Sequence, residues 1–139
     1  MIIIAVVDDN NGIAFNNRRQ SQDRLLRDHI LSMIQNKPLW MNHYSEKQFV
    51  DTESKNKIIV DELFLQKAAS GEYCFIENTA VSLYKNRIEK IILFKWNRKY
   101  PADMYFDVDL TSPEWKLQYT DEIKGFSHEK ITEEIYSHE

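Results

Sequence analysis

The sequence predicts a mixed α/β fold, a mostly parallel central sheet with antiparallel strands added at its C-terminal end. Three observations predict it. The first hundred residues alternate short β-branched or aromatic runs with stretches of helical periodicity, the pattern of strands joined by crossover helices. The opening run Ile2-Ile3-Ile4-Ala5-Val6-Val7 is apolar without alternation, as expected of a strand covered on both faces. Past Pro101 the helical signal stops, and residues 104–106, 115–119 and 130–136 read as extended segments, the latter two with alternation.

The other elements follow in order. Asp8-Asp9-Asn10-Asn11-Gly12 is a turn of residues that tolerate left-handed backbone. Ser21 is placed to cap a helix over 22–35, whose Leu25, Leu26, Ile30, Met33 and Ile34 form one apolar stripe. Asn36-Lys37-Pro38 stops it, and Leu39-Trp40-Met41 is a short buried strand. Ser45 with Gln48 makes a capping box for a second helix. Ile58-Ile59-Val60 is a strand, and Asp61 opens a helix through Ala69 that Gly71 ends. Residues 73–76 form a strand, Thr79 caps a short helix to about Asn86, and residues 90–96 form a strong strand.

At 139 residues the chain suits a single domain, 1–139. A hydrophobic fraction of 42% with Phe 7, Tyr 7 and Trp 3 supplies a core and argues against disorder. The net charge of −4 argues against general nucleic-acid binding, and Lys95, Arg98 and Lys99 around Trp96 do not outweigh it. The lone Cys74 lies in Tyr73-Cys74-Phe75-Ile76; it excludes an internal disulfide, reads as a small buried hydrophobe, and fits a reducing cytoplasm. No run reaches the roughly 18 apolar residues of a membrane span. The N-terminal run has no basic flank and meets Asp8-Asp9, so it reads as a strand and not a signal peptide. His29, His43, His128 and His138 show no metal-ligand spacing, Asp107-x-Asp109 reads as a solvent-facing pair, and no Gly-x-Ser-x-Gly elbow occurs.

Several strings, taken in order, resemble the dihydrofolate reductase family. Ile4 to Phe15 is similar to that family's first strand and the loop after it. Ser21-Gln22-Asp23 resembles the Pro-x-acid string at the start of its first helix. Asn36-Lys37-Pro38-Leu39-Trp40-Met41 resembles its Lys-Pro-x-x-Met strand, and Cys74 to Asp109 lies on its last αβ unit and following strand without a gap. The resemblance covers nearly the whole chain. It implies a dihydrofolate-reductase-like three-layer fold, NADPH as cofactor and Asp23 as the acid that orients or helps protonate a pterin or pyrimidine substrate. It also implies a substrate pocket at Ala5, Val6, Arg24, Arg27, Met41 and Phe94, and cofactor contacts at Ala14, Ser45, Ile76 and Glu77.

The departures from the family pattern bear on function. Ala14 stands where the family has the glycine of its first loop, and the tryptophan-proline segment before the first helix is replaced by Asn16-Asn17-Arg18-Arg19-Gln20-Ser21. Asn42-His43-Tyr44-Ser45 replaces the turn that meets the cofactor pyrophosphate. The stretch Glu46 to Val60 is compressed, with at least one strand of the cofactor half lost. Ile76 and Glu77 take the place of a glycine pair whose amides approach the cofactor phosphates; a backbone that must come close to a ligand needs glycine, and a carboxylate adds repulsion. The chain has only Gly12, Gly71 and Gly125, so no other glycine-rich loop substitutes. Phe94 replaces a threonine that partners the family's acid.

Asp23 and Arg27 are four residues apart, which makes an ion pair easy, and a helix start favours the carboxylate. Both lower its pKa, whereas a proton-relay acid benefits from the opposite shift. The residues therefore favour an ion-paired helix-start role over ligand contact. Arg18, Arg19, Arg24 and Arg27 are either solvated charges, with Arg24–Asp28 as a surface pair, or a site for a small anion. The favoured expectation is a dihydrofolate-reductase-like protein that has lost efficient NADPH-dependent reduction and binds a small anionic or pterin-like molecule or another protein. The rival is a divergent active reductase with Asp23 as its acid. A homodimer through a C-terminal strand edge is a third possibility.

Overall fold

The computed structural model describes residues 1–49 and 57–138. In chain order they form β1 (Ile2–Val7), β2 (Gly12–Phe15), β3 (Arg18–Arg19), α1 (Arg24–Ile34), β4 (Leu39–Met41), α2 (His43–Glu46) followed by a 3-10 turn (Lys47–Phe49), and β5 (Ile58–Val60). Then come α3 (Phe64–Lys67), β6 (Tyr73–Phe75), a 3-10 helix (Ser82–Arg87), β7 (Lys90–Lys95), β8 (Met104–Tyr105), β9 (Trp115–Ile123) and β10 (Ile131–His138).

Among the described residues the main sheet has the order β5-β4-β6-β1-β7-β10-β9, and β3-β2-β8 form a small second sheet. The pairs from β5 to β7 are parallel, whereas β10 runs antiparallel to β7 and β9 antiparallel to β10. The fold class expected from the sequence is thus the one observed. β1 is central: Ile3 lies beside Cys74 on one side and Ile91 on the other. Alternate side chains of this uninterrupted apolar run enter different cores. Met1, Ile3, Ala5 and Val7 pack with Phe64 and Leu65 of α3. Ile2 and Ile4 pack with Leu26, Ile30, Leu31 and Ile34 of α1. No described helix is long and apolar enough to cross a membrane.

Several local expectations are corrected. α1 begins at Arg24 with Asp23, not Ser21, as its N-cap. Its buried face is Leu26, Ile30, Leu31 and Ile34, while Leu25 is 39% exposed; the stripe lies one position round the helix from the expected one. α2 is a single turn capped by Asn42, whose Oδ1 accepts from the Ser45 amide at 2.9 Å, so Ser45 is inside the turn and caps nothing. The helix expected over 61–69 shrinks to Phe64–Lys67. Asp61 instead accepts from the Leu63 amide in the preceding turn, and Gly71, at φ 79, turns the chain beyond the helix end. The helix expected from Thr79 starts at Ser82, because the carboxylate of Asp107 receives the Val81 and Ser82 amides. The lost strand expected between Glu46 and Val60 falls largely on residues 50–56, outside the described residues.

The β9–β10 hairpin carries a bulge. Tyr119 faces Ile135 and Leu117 faces Tyr136, which leaves Gln118 without an opposite residue. The bulge reverses the pleat, so Trp115 joins the α3-side core while Ile123 packs on the α1 side.

Candidate functional site

Asp23 occupies the start of α1, and the fold closes around it. Its side chain has no exposed surface. As N-cap it accepts from the Leu25 and Leu26 amides at 3.0 and 3.1 Å, the usual work of a capping carboxylate. A loop more than a hundred residues later adds the amides of Phe126 and Ser127 at 2.9 Å and of His128 at 3.2 Å. The His128 ring donates from Nδ1 at 3.0 Å, and its Nε2 lies 3.0 Å from the Tyr100 hydroxyl and 3.2 Å from that of Ser21. Trp96 stacks on the imidazole at 4.2 Å. Gly125 permits the close approach of this loop: a Cβ there would sit 2.7 Å from Asp23 Oδ2.

Burial by itself would raise the pKa of Asp23. The hydrogen bonds from the Phe126 amide, the His128 ring and the Leu26 and Ser127 amides outweigh it and hold the carboxyl well below the usual carboxylate range. The expected Asp23–Arg27 pair is not formed; His128 is the partner. Arg27 keeps a buried Nε without a hydrogen-bond partner. Arg24 makes no ion pair with Asp28 and lies over the Phe126 ring at 4.3 Å.

Glu77 is 7% exposed, and Arg19 meets it bidentately, Nε to Oε2 at 2.8 Å and Nη2 to Oε1 at 3.0 Å. Gln48 adds a bond at 2.7 Å. The Arg19 guanidinium also lies 4.4 Å over the Tyr44 ring, whose hydroxyl accepts from the Arg19 amide at 2.9 Å. Glu77 thus has a full set of partners within the chain.

One cavity brings together Val6, Asp23, Arg27, Ile76 and Glu77, with Arg19, Gln48 and Trp96 also in its wall. Its free volume is about 20 Å³, room for on the order of one water molecule. The remaining positions do not line it. Ala5 is buried in the α3-side core, and Met41 and Phe94 in the α1-side core. Ala14 is buried in β2, and the buried Ser45 hydroxyl has no partner. A separate open groove of about 490 Å³ is lined by Phe15, Arg18, Arg19, Gln20, Tyr100 and Pro101. The described residues contain no cluster of three or more His, Cys, Asp or Glu side chains able to hold a metal.

Sequence reasoning did not find His128 or the Arg19–Glu77 pair. The available signal for the first was Gly125, one of three glycines, placed just before Ser127-His128. The sequence pattern marks Asp8 only as a turn residue. In the structure it is 2% exposed and ties the Asn10 and Gly12 amides to the Gln20 side chain.

No family model matches the chain, and no curated protein matches it. Among solved structures it is similar to dihydrofolate reductase from Enterococcus faecalis complexed with NADP(H) and RAB-propyl. The TM-score is 0.66, at 9% identity, over 99% of this chain and 95% of that one. The described elements, their order and this likeness together show that the chain has a dihydrofolate-reductase-like α/β fold.

Proposed function

We propose that the chain uses this fold as a binding module and has lost efficient NADPH-dependent reduction. The observation that carries the reading is the buried Glu77 carboxylate, clamped by Arg19 and Gln48 at the position where the family's backbone approaches the cofactor phosphates. A buried anion there repels a pyrophosphate, and releasing Arg19 to meet the phosphate would strand Glu77 unpaired. Asp23 points the same way: a carboxylate stabilised in its ionised form by five amides and the His128 ring N–H is a poor proton donor at neutral pH. The cavity beside it is too small for a pterin. The open groove next to it suits a small anionic ligand, with the exposed Arg18 as the charge and Phe15 and Tyr100 as apolar walls.

The rival reading, an active reductase of a pterin or pyrimidine with Asp23 as its acid, draws on the convergence of Val6, Asp23, Arg27, Ile76 and Glu77 on one cavity. A titration with NADPH separates the two, followed by addition of dihydrofolate. Trp96 lines the cavity and its fluorescence reports binding there. The binding-module reading expects no saturable signal up to about 1 mM cofactor, an affinity weaker than about −4 kcal/mol. Micromolar binding with NADPH oxidation that falls in Asp23→Asn overturns it.

A further inference from the structure

We infer that Ser21, His128 and Asp23 form an acyl-transfer site, with Ser21 as nucleophile toward esters of short acyl groups. The inference does not depend on the cofactor. The Ser21 hydroxyl lies 3.2 Å from His128 Nε2, and His128 Nδ1 lies 3.0 Å from Asp23 Oδ2. One imidazole thus joins a hydroxyl to an orienting carboxylate, and such triads are recognised by geometry and role, not by sequence motif. Five amides keep Asp23 an acceptor, which fixes the ring proton on Nδ1 and leaves the Nε2 lone pair for a hydroxyl. Trp96, stacked at 4.2 Å, holds the ring plane. The Tyr100 hydroxyl also reaches Nε2, at 3.0 Å. One lone pair takes one donor at a time, so Tyr100 competes with Ser21 for the base.

Ser21 lines the cavity together with Gln22 and Arg27. Ser21 is half-buried and Gln22 exposed, so this wall reaches the surface. The buried Arg27 Nε has no hydrogen-bond partner. An unpaired cationic donor in the same cavity as a nucleophile suits the oxyanion that acyl transfer develops. Room for about one water admits the carbonyl end of an acetyl group and excludes a long acyl chain. In the first step Ser21 Oγ bonds to the acyl carbon while its proton passes to Nε2. The bond from that carbon to the alcohol oxygen breaks, and Nε2 returns the proton to the leaving alcohol. Water then attacks the acyl carbon, passes its proton through Nε2 to Oγ, and releases the carboxylic acid. Asp23 touches no reacting atom; it positions the ring.

Reaction with p-nitrophenyl acetate tests this. The expected result is a burst of p-nitrophenolate on the order of one per chain, with the acetyl group found on Ser21 by peptide mapping. Ser21→Ala, folded by circular dichroism, should lose both. His128→Gln should slow acylation at least about a hundredfold. Tyr100→Phe leaves Ser21 alone at the base and should quicken it at least about twofold. In Asp23→Asn the ring proton is no longer fixed on Nδ1; nitrogen NMR of His128 should show it on Nε2, and acylation should fall at least about tenfold with that change. The octanoate ester should react at least about tenfold more slowly than the acetate. No burst from the folded parent overturns the inference, and so does an acetyl group found only on lysines. A burst that survives in Ser21→Ala, rates indifferent to the His128, Asp23 or Tyr100 changes, or an octanoate that reacts as fast as the acetate overturns it equally.

Discussion

Replacing Asp23 by alanine should cost more stability than any surface change in this chain, because one carboxylate joins α1 to the 125–128 loop. The cap lost from the Leu25 and Leu26 amides is worth about 1 kcal/mol. The His128 ring loses its carboxylate acceptor at 3.0 Å, with both side chains out of solvent, and a hydrogen bond to a charged group is worth about 1.5–3 kcal/mol. The Phe126 and Ser127 amides partly recover, because both residues are exposed and water can reach them. These terms share one site and do not add strictly, so the expected loss is about 2–4 kcal/mol. Asp23→Asn keeps a capping oxygen but opposes an amide to the loop donors, and should cost roughly 2–3 kcal/mol. Urea unfolding followed by circular dichroism gives both values by linear extrapolation. A loss below about 1 kcal/mol in Asp23→Ala would refute the role assigned to this residue. The pH dependence has a fixed sign. A carboxyl with a depressed folded pKa stabilises the fold above its unfolded value near 3.9, and that stability drains away as pH falls toward the folded value.

Gly125→Ala should destabilise by about 1–3 kcal/mol and shift the His128 ring resonances, since its Cβ would meet the His128 carbonyl oxygen and Asp23 Oδ2; unchanged urea midpoint and resonances would contradict the close approach. Ser45→Ala removes a buried hydroxyl with no partner, so thermal unfolding should show a change between about zero and 1 kcal/mol of added stability. Glu133 accepts from His29 Nε2 at 3.2 Å. That bond, against the opposing effect of burial and with help from Asp121, raises the His29 pKa. The pair's contribution is then complete below the unfolded histidine value near 6.5 and is lost as pH rises through the higher folded value. The melting temperature of the parent should fall over that window more than that of Glu133→Gln.

What could be read from the sequence was what depends on local pattern. The uninterrupted run of β1 announced a strand buried on both faces, and the tail past Pro101 announced its antiparallel strands. What could not be read depends on partners far along the chain. Asp23 was legible as a helix-start acid, but its partner stands 105 residues away. Arg19 and Glu77 are 58 apart, and Asp107 caps the Ser82 turn from 25 away. Of the local capping signals, Thr79 lost to the distant Asp107, because amides take whichever acceptor the tertiary fold brings to them; Ser21 and Ser45 lost to their near neighbours Asp23 and Asn42. The bulge at Gln118 defeated the alternation of Trp115, Leu117 and Tyr119, which a regular pleat would place on one face.

The carboxyl pKa of Asp23, measured by carbon NMR across an acid titration of the folded protein, tests the central claim most directly. A structural carboxylate held by amides and His128 stays ionised down to the acid limit of the fold and titrates well below the ordinary aspartate range. A pKa at or above about 5, where a proton-relay acid benefits from being, would contradict the account and return Asp23 to catalysis.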